Sequence, residues 1–220
     1  MIKNLLFYLV MMLFVLSVSA IGGGMYTRSQ EEIRELLINF DKDDFYLNLL
    51  RQADNYYFEK INLKSIKHYS LYLCILADPG MEEHNFNIAI SADDTPLVLS
   101  GSIENIDIVF HKEGVYPKTI EEAKDIILDY MLLYRDYYKD FEIIASVSDL
   151  INDVDDGTIK SLPIRPIQVK MDNGYFEAKL FLKLGRDIVE RNVVLKKFHI
   201  RIEDKIIAKD AMGVTSPHQQ

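Results

Sequence analysis

Apolar residues change their spacing several times along the chain, and each change marks an element. From Leu5 to Ile21 they run almost unbroken, LLFYLVMMLFVLSVSAI, with no charge between Lys3 and Arg28. Such a run suits lipid, where charge is costly and a helix satisfies its own backbone polar groups. Two readings fit. In one, Lys3 and the amino terminus form a positive n-region, Leu5–Leu16 the h-region, and Val18-Ser19-Ala20 a peptidase site cut after Ala20. In the other, the run continues through Gly22–Gly24 to Tyr26 and stays as an anchor. The apolar core is short for a span, which favours cleavage. Either way residues 1–24 form an export segment, and the body is expected outside the cytoplasm: periplasmic, extracellular or anchored facing outward.

Helical spacing follows. Ser29-Gln30-Glu31-Glu32 is a capping box, and Ile33, Leu36, Leu37 and Phe40 recur behind it. Asp43 or Asp44 can cap a second helix carrying Phe45, Leu49, Ala53 and Tyr56 or Tyr57. From about His68 the period shortens. Tyr69–Ala77 reads as a largely buried strand stopped by Pro79-Gly80, and Phe86, Ile88 and Ile90 as a half-buried one. Asp93-Asp94-Thr95-Pro96 turns the chain. Leu97–Leu99 and then Ile106, Ile108 and Phe110 are expected to complete a first antiparallel set.

Thr119-Ile120-Glu121-Glu122 is a second capping box and opens a helix expected over about Ile120–Lys139. Its stripe of Ala123, Ile126, Ile127, Tyr130, Met131, Tyr134 and Tyr137 is broad enough to lie against a sheet. A short helix is expected from Ser148, and Asp155-Asp156-Gly157 is a turn. Pro163 and Pro166 confine the next strand to an edge or an irregular path. Asn173-Gly174 is the strongest hairpin signal in the chain. Phe176, Ala178, Leu180, Leu182 and Leu184 alternate beyond it, as do Phe198, Ile200 and Ile202.

These elements predict an α+β fold, helices packed on antiparallel sheet. Residues 25–115 and 116–210 read as two helix-plus-sheet units, separate or merged in one domain, with a frayed tail at 211–220. Ser29–Phe40 aligns without gaps on Thr119–Tyr130, but only Glu31/Glu121 and Glu32/Glu122 are identical. Duplication would explain the likeness. So would convergence, because capped amphipathic helices tend toward the same pattern.

Composition narrows the function. A net charge of −9 repels phosphate backbones, so nucleic acid is not an expected partner. The single cysteine, Cys74, cannot close an internal disulfide, and its apolar neighbours mark a buried, inert thiol. No cysteine follows the h-region, which removes the lipoprotein route.

Candidate chemistry is sparse. Asn152–Ile159 resembles a calcium loop, but Val154 and Pro163 stand where oxygen ligands are required. His68, His84, His111, His199 and His218 lack zinc-ligand spacing. Leu99-Ser100-Gly101-Ser102 has the wrong order for a nucleophile elbow. No catalytic, cofactor or metal residue is therefore assigned.

Two surface features stand out. Lys197, His199 and Arg201 alternate with Phe198, Ile200 and Ile202, and with Lys179 and Lys183 could form a basic island for an anion or partner. Glu177 and Glu203 argue instead for simple cross-strand pairing. Among 13 tyrosines, Tyr130, Tyr134, Tyr137 and Tyr138 form a stripe suited to docking if exposed, and to core packing otherwise. The leading expectation is an exported or membrane-anchored, non-enzymatic protein that binds another protein or assists an envelope assembly. The alternatives are an exported hydrolase whose site is assembled from distant residues, and an inhibitor or immunity-type protein for a basic target.

Overall fold

The computed structural model describes residues 28–77, 84–135, 141–150 and 161–209. The export segment with Ala20, the calcium-like stretch, Tyr137 and Tyr138 lie outside the described residues. Among those described, no helix is long and apolar enough to cross a membrane.

The chain is an α+β protein with two antiparallel sheets. Helices α1 (Gln30–Ile38) and α2 (Phe45–Gln52) precede strands β1 (Tyr56–Ile61), β2 (Ser70–Leu76), β3 (His84–Ile90) and β4 (Pro96–Val98). These strands form sheet 1 in that order. Helices α3 (Ile103–Glu113) and α4 (Ile120–Tyr134) follow, then β5 (Glu142–Ile144), a 3-10 turn (Val147–Leu150), β6 (Gln168–Asp172), β7 (Tyr175–Leu184), β8 (Asp187–Lys196) and β9 (His199–Ala208). Sheet 2 runs β5-β7-β8-β9, with β6 also paired to β7.

Both capping boxes form. Ser29 Oγ accepts from the Glu32 N–H and Thr119 Oγ1 from the Glu122 N–H, each glutamate reaching back to the cap. Asp44 caps α2 by accepting from the Leu47 N–H at 2.9 Å. That helix ends at Ala53, and Tyr56 opens β1 rather than extending the helix. Its buried residues are Leu47 and Leu50, while Phe45 is exposed.

The expected strand at Ile106–Phe110 is instead helix α3. Ser102 accepts from the Asn105 N–H, and Gly114, at φ 66°, closes the far end by donating to the Phe110 and His111 carbonyls. Ile106, Val109 and Phe110 lie on one helical face and are fully buried, whereas Ile108 is exposed. The alternation of Ile106, Ile108 and Phe110 mimicked a strand, but the caps twelve residues apart decide the matter.

Sheet 1 is covered on both faces. Phe58, Tyr72, Cys74, Phe86, Ile88 and Ile90 pack against α1 and α2. Leu71 and Ala89 face the other way, into a core shared with α3, α4 and the inner face of sheet 2. β3 is therefore buried on both sides, not half-buried as its alternation suggested. Fully burying a Leu, Ile or Phe side chain contributes about 1.5–3 kcal/mol, so this shared core is the main link between the chain's two ends.

Asn173 and Gly174, at φ 44° and 84°, make the tight turn between β6 and β7. β6 stands at an edge, one of the two outcomes expected of a strand after Pro163 and Pro166. α4 stops at Tyr134, short of Lys139. Its last carbonyls have other partners: Asn87 Nδ2 donates to the carbonyls of Leu132, Leu133 and Arg135 at 3.0–3.2 Å. The Gly101 N–H takes that of Tyr134 at 2.9 Å. Asn87 is 2% exposed, so a strand residue terminates a helix inside the core.

Candidate binding surface

α3 and the β8–β9 hairpin build the surface between them. The hairpin turns through Lys197 and Phe198, with Lys196 paired to His199, and Lys197 holds a positive φ of 58°. Lys197 thus stands in the turn rather than in the strand. Of the predicted triplet, His199 and Arg201 alone share a strand face.

Burying the Ile106–Phe110 face of α3 leaves Asp107 and His111, one turn apart, beside this hairpin. Asp107 Oδ2 lies 2.8 Å from His199 Nδ1. The Phe198 ring is 4.4 Å from that of His111, 4.2 Å from that of His199 and 5.8 Å from that of Tyr116. His111, Tyr116, Lys196, Lys197, Phe198 and His199 line one open depression of about 770 Å³.

The charges there are uneven. Lys196, Lys197 and His199 are exposed, whereas the Asp107 side chain is 15% exposed. Burial raises the Asp107 carboxyl above its ordinary range, although the His199 ring and the Ile200 backbone both favour its ionised form. Its Oδ1 is buried without a hydrogen-bond partner, as is the Tyr130 hydroxyl. Burial, and then the Asp107 charge, push the Tyr130 hydroxyl upward.

The remaining basic residues are not gathered here. β8 lies between β7 and β9, so Lys179 and Lys183 do not neighbour the strand of Arg201. Lys179 Nζ meets Glu190 at 2.8 Å and Lys170 Nζ meets Glu177 at 2.5 Å, while Arg201 pairs with Glu203. Cross-strand pairing accounts for Lys179 and Lys170, and pairing along β9 for Arg201. β8 escaped the sequence reading because Ile188 and Val189, on opposite faces of the strand, are both buried, Ile188 beside Leu150 and Phe181 and Val189 in the shared core, which masks the alternation.

Asp107 and His111 were not placed at this surface, since α3 had been read as a strand, and Tyr116 follows just past its Gly114 cap. The signal that could have found them is the Ser102…Gly114 cap pair. Tyr130 is fully buried and Tyr134 packs at the margin of the same core, their rings 6.3 Å apart. The described part of the tyrosine stripe is thus packing.

A second depression, of about 750 Å³, lies between the 62–68 loop and α3–α4. Glu113 anchors it, accepting from the backbone N–H groups of Lys67, His68 and Tyr69 at 2.6–2.9 Å and meeting His68 Nδ1. Burial works to raise the Glu113 carboxyl, but these bonds outweigh it and hold it below the usual range. Its work is to fix a loop. Asp129, raised by burial against a bond from Ser65, lies on the same wall.

Cys74 is fully buried on the opposite side of sheet 1, and burial pushes its thiol far up. Among the described residues no three His, Cys, Asp or Glu side chains gather as a metal site. Comparison with protein-family models, with characterised proteins and with solved structures finds no match to the chain.

Proposed function

We propose that the chain is an exported or membrane-anchored, non-enzymatic binding protein whose contact surface is the depression between α3 and the β8–β9 turn. The observation that carries this reading is the convergence of two distant segments. Residues 111–116 and 196–199 bring two lysines, two imidazoles and two aromatic rings to one open place on a chain of net charge −9. Aromatic faces flanked by cations suit a protein segment bearing carboxylates, with steering by the lysines and desolvation by the rings. Lys197 and His199 thereby keep the role expected of them; Arg201, paired with Glu203, stands outside the contact.

Fluorescence polarisation against acidic-aromatic and basic-aromatic peptide libraries tests this. Selective binding of the acidic set, weakened by salt and abolished in Lys196→Glu/Lys197→Glu, is the expected result. Equal binding of both sets, or of neither, would overturn it. Cell fractionation with N-terminal sequencing tests export: a mature start at Ile21, or Met1 retained in membranes, distinguishes a cut site at Ala20 from an anchor.

One observation favours the hydrolase reading. The carboxylate–imidazole contact of Asp107 and His199 is the base-and-orienter half of a nucleophilic site. Tyr116 carries the one hydroxyl among the residues lining the depression. Turnover of a chromogenic ester that is lost in His199→Gln would establish the hydrolase; no turnover above buffer would remove it.

A further inference from the structure

The chain treats its sheet edges unequally. On β1, the Gln30 side chain occupies the outer edge: its Oε1 accepts from the Phe58 N–H at 2.6 Å and its Nε2 donates to the Phe58 carbonyl at 3.0 Å. β4 and β5 are three residues long, and β4 begins with Pro96. β6 is five residues long and follows Pro163 and Pro166. These are the ordinary ways of blunting an edge. β9 is different, with ten residues and β8 as its one partner strand among the described residues.

The register says which of its backbone groups are open. The two-residue turn makes Lys196 and His199 a hydrogen-bonded pair, so His199, Arg201, Glu203 and Lys205 bond to β8. Ile200, Ile202, Asp204 and Ile206 point their N–H and C=O groups outward. Ile200 is 5% exposed, where β9 lies against α3. The open segment is therefore Ile202–Ile206, and Ile206 is 54% exposed there.

We infer that this edge pairs antiparallel, centred on Asp204, with the same edge of a second copy. Charge selects both the partner and the register. Centring on Glu203 would set Glu203 against itself and Arg201 against Lys205; centring on Lys205 would set Lys205 against itself. Centring on Ile202 needs the Ile200 position, which α3 covers. Centring on Asp204 sets each Glu203 opposite the second copy's Lys205, and each Ile202 opposite the second copy's Ile206. The two central Asp204 carboxylates are each neutralised by a bidentate bond from Arg191, both contacts at 2.7 Å. The two-fold axis crosses the sheet at Asp204, and α3 flanks the ends of the paired segment. Sheet 2 becomes continuous across two copies.

Sedimentation equilibrium of the full chain, over a wide concentration range, reads this directly. The wild type is expected as a monomer–dimer equilibrium. Glu203→Lys alone and Lys205→Glu alone each place like charges opposite one another and weaken dimerisation roughly tenfold. An equimolar mixture of the two restores it, because the unlike pairs reform between variants. Both side chains are exposed, so unchanged circular dichroism spectra are expected. Ile206→Thr, which changes no charge, weakens the dimer if either charge variant misfolds. A monomeric wild type, single variants that associate like the wild type, or a mixture that stays monomeric would each overturn the inference. Lys196→Glu/Lys197→Glu leaves the dimer intact, which separates this edge from the peptide-binding depression.

Discussion

Sheet 1 and sheet 2 are both antiparallel and both carry a pair of helices, yet they answer for their polar groups in opposite ways. Sheet 1 lies between α1–α2 on one face and α3–α4 on the other, so β2 and β3 have no solvent side along most of their length. Any polar side chain there must find protein partners, and Asn87 and Ser100 do so by bonding the end of α4. Sheet 2 buries one face only. Its outer face holds Lys179–Glu190 and Arg201–Glu203 in contact with water, apart from the end covered by Leu150, Leu162 and Ile164. One sheet is a structural partition; the other leaves a charged face and an open edge available for contact.

Substitutions should separate the two sheets by size of effect. Asn87→Leu is expected to be the most costly, about 3–4 kcal/mol in urea unfolding, because buried carbonyls at the α4 terminus lose their donors. A loss below about 1 kcal/mol would mean that water reaches this joint and that sheet 1 is not sealed.

Arg191→Met comes next. Arg191 is 5% exposed, bonds Asp204 and stacks on the Phe141 ring at 4.9 Å. Removing one partner of a buried pair costs about 3–5 kcal/mol, but the Asp204 side chain is 35% exposed and can be hydrated. About 2 kcal/mol is therefore expected from the same measurement. The full buried-pair cost would place the inner face of sheet 2 on a par with sheet 1.

Glu113→Gln should cost about 1–2 kcal/mol, since three N–H groups then face a weaker acceptor. Its carboxyl is held below the ordinary value of 4.5, so its stabilising contribution is present above that pH and is lost as pH falls through the lowered folded value. The variant should show a flatter acid limb than the wild type in a pH series of thermal midpoints. An unchanged limb would show that the loop is not tied through this charge. Asn192→Ala, on the half-buried outer side of β8, should fall within about 0.5 kcal/mol. A large loss there would break the contrast between the two outer surroundings.

Local chemistry was legible wherever neighbours in sequence decide the conformation. The two capping boxes, the Asp44 cap and the Asn173-Gly174 turn all follow from residues a few positions apart. The misreadings arose where periodicity was ambiguous or masked: α3 imitated a strand, and burial of Ile188 and Val189 on opposite faces hid β8. The candidate surface was half legible for the same reason. Lys197 and His199 could be named, but His111, Tyr116 and Asp107 join them through a helix that was misassigned, across about ninety residues of chain.

α1 and α4 show where local pattern stops being informative. Their first turns share a capping box and a like sequence of side chains. One packs beside α2 on sheet 1; the other pairs with α3 in the core between the sheets. Within those twelve residues the unlike pairs are Gln30/Ile120, where Gln30 covers the β1 edge, and Ile33/Ala123.

By itself the sequence determined the class of fold, the two capping boxes, the Asp44 cap, the Asn173-Gly174 turn, the net charge and the burial of a lone cysteine in an apolar run. These depend on backbone sterics, hydrogen bonds between near neighbours and summed composition. Tertiary structure alone decided that Asn87 ends α4, that Arg191 lies buried against Asp204, that His199 meets Asp107, and that Gln30 covers β1 while β9 stays open. Each of these joins groups far apart in the chain, and a polar side chain carries no mark of its distant partner. Packing selects that partner by the cost of leaving the group unpaired.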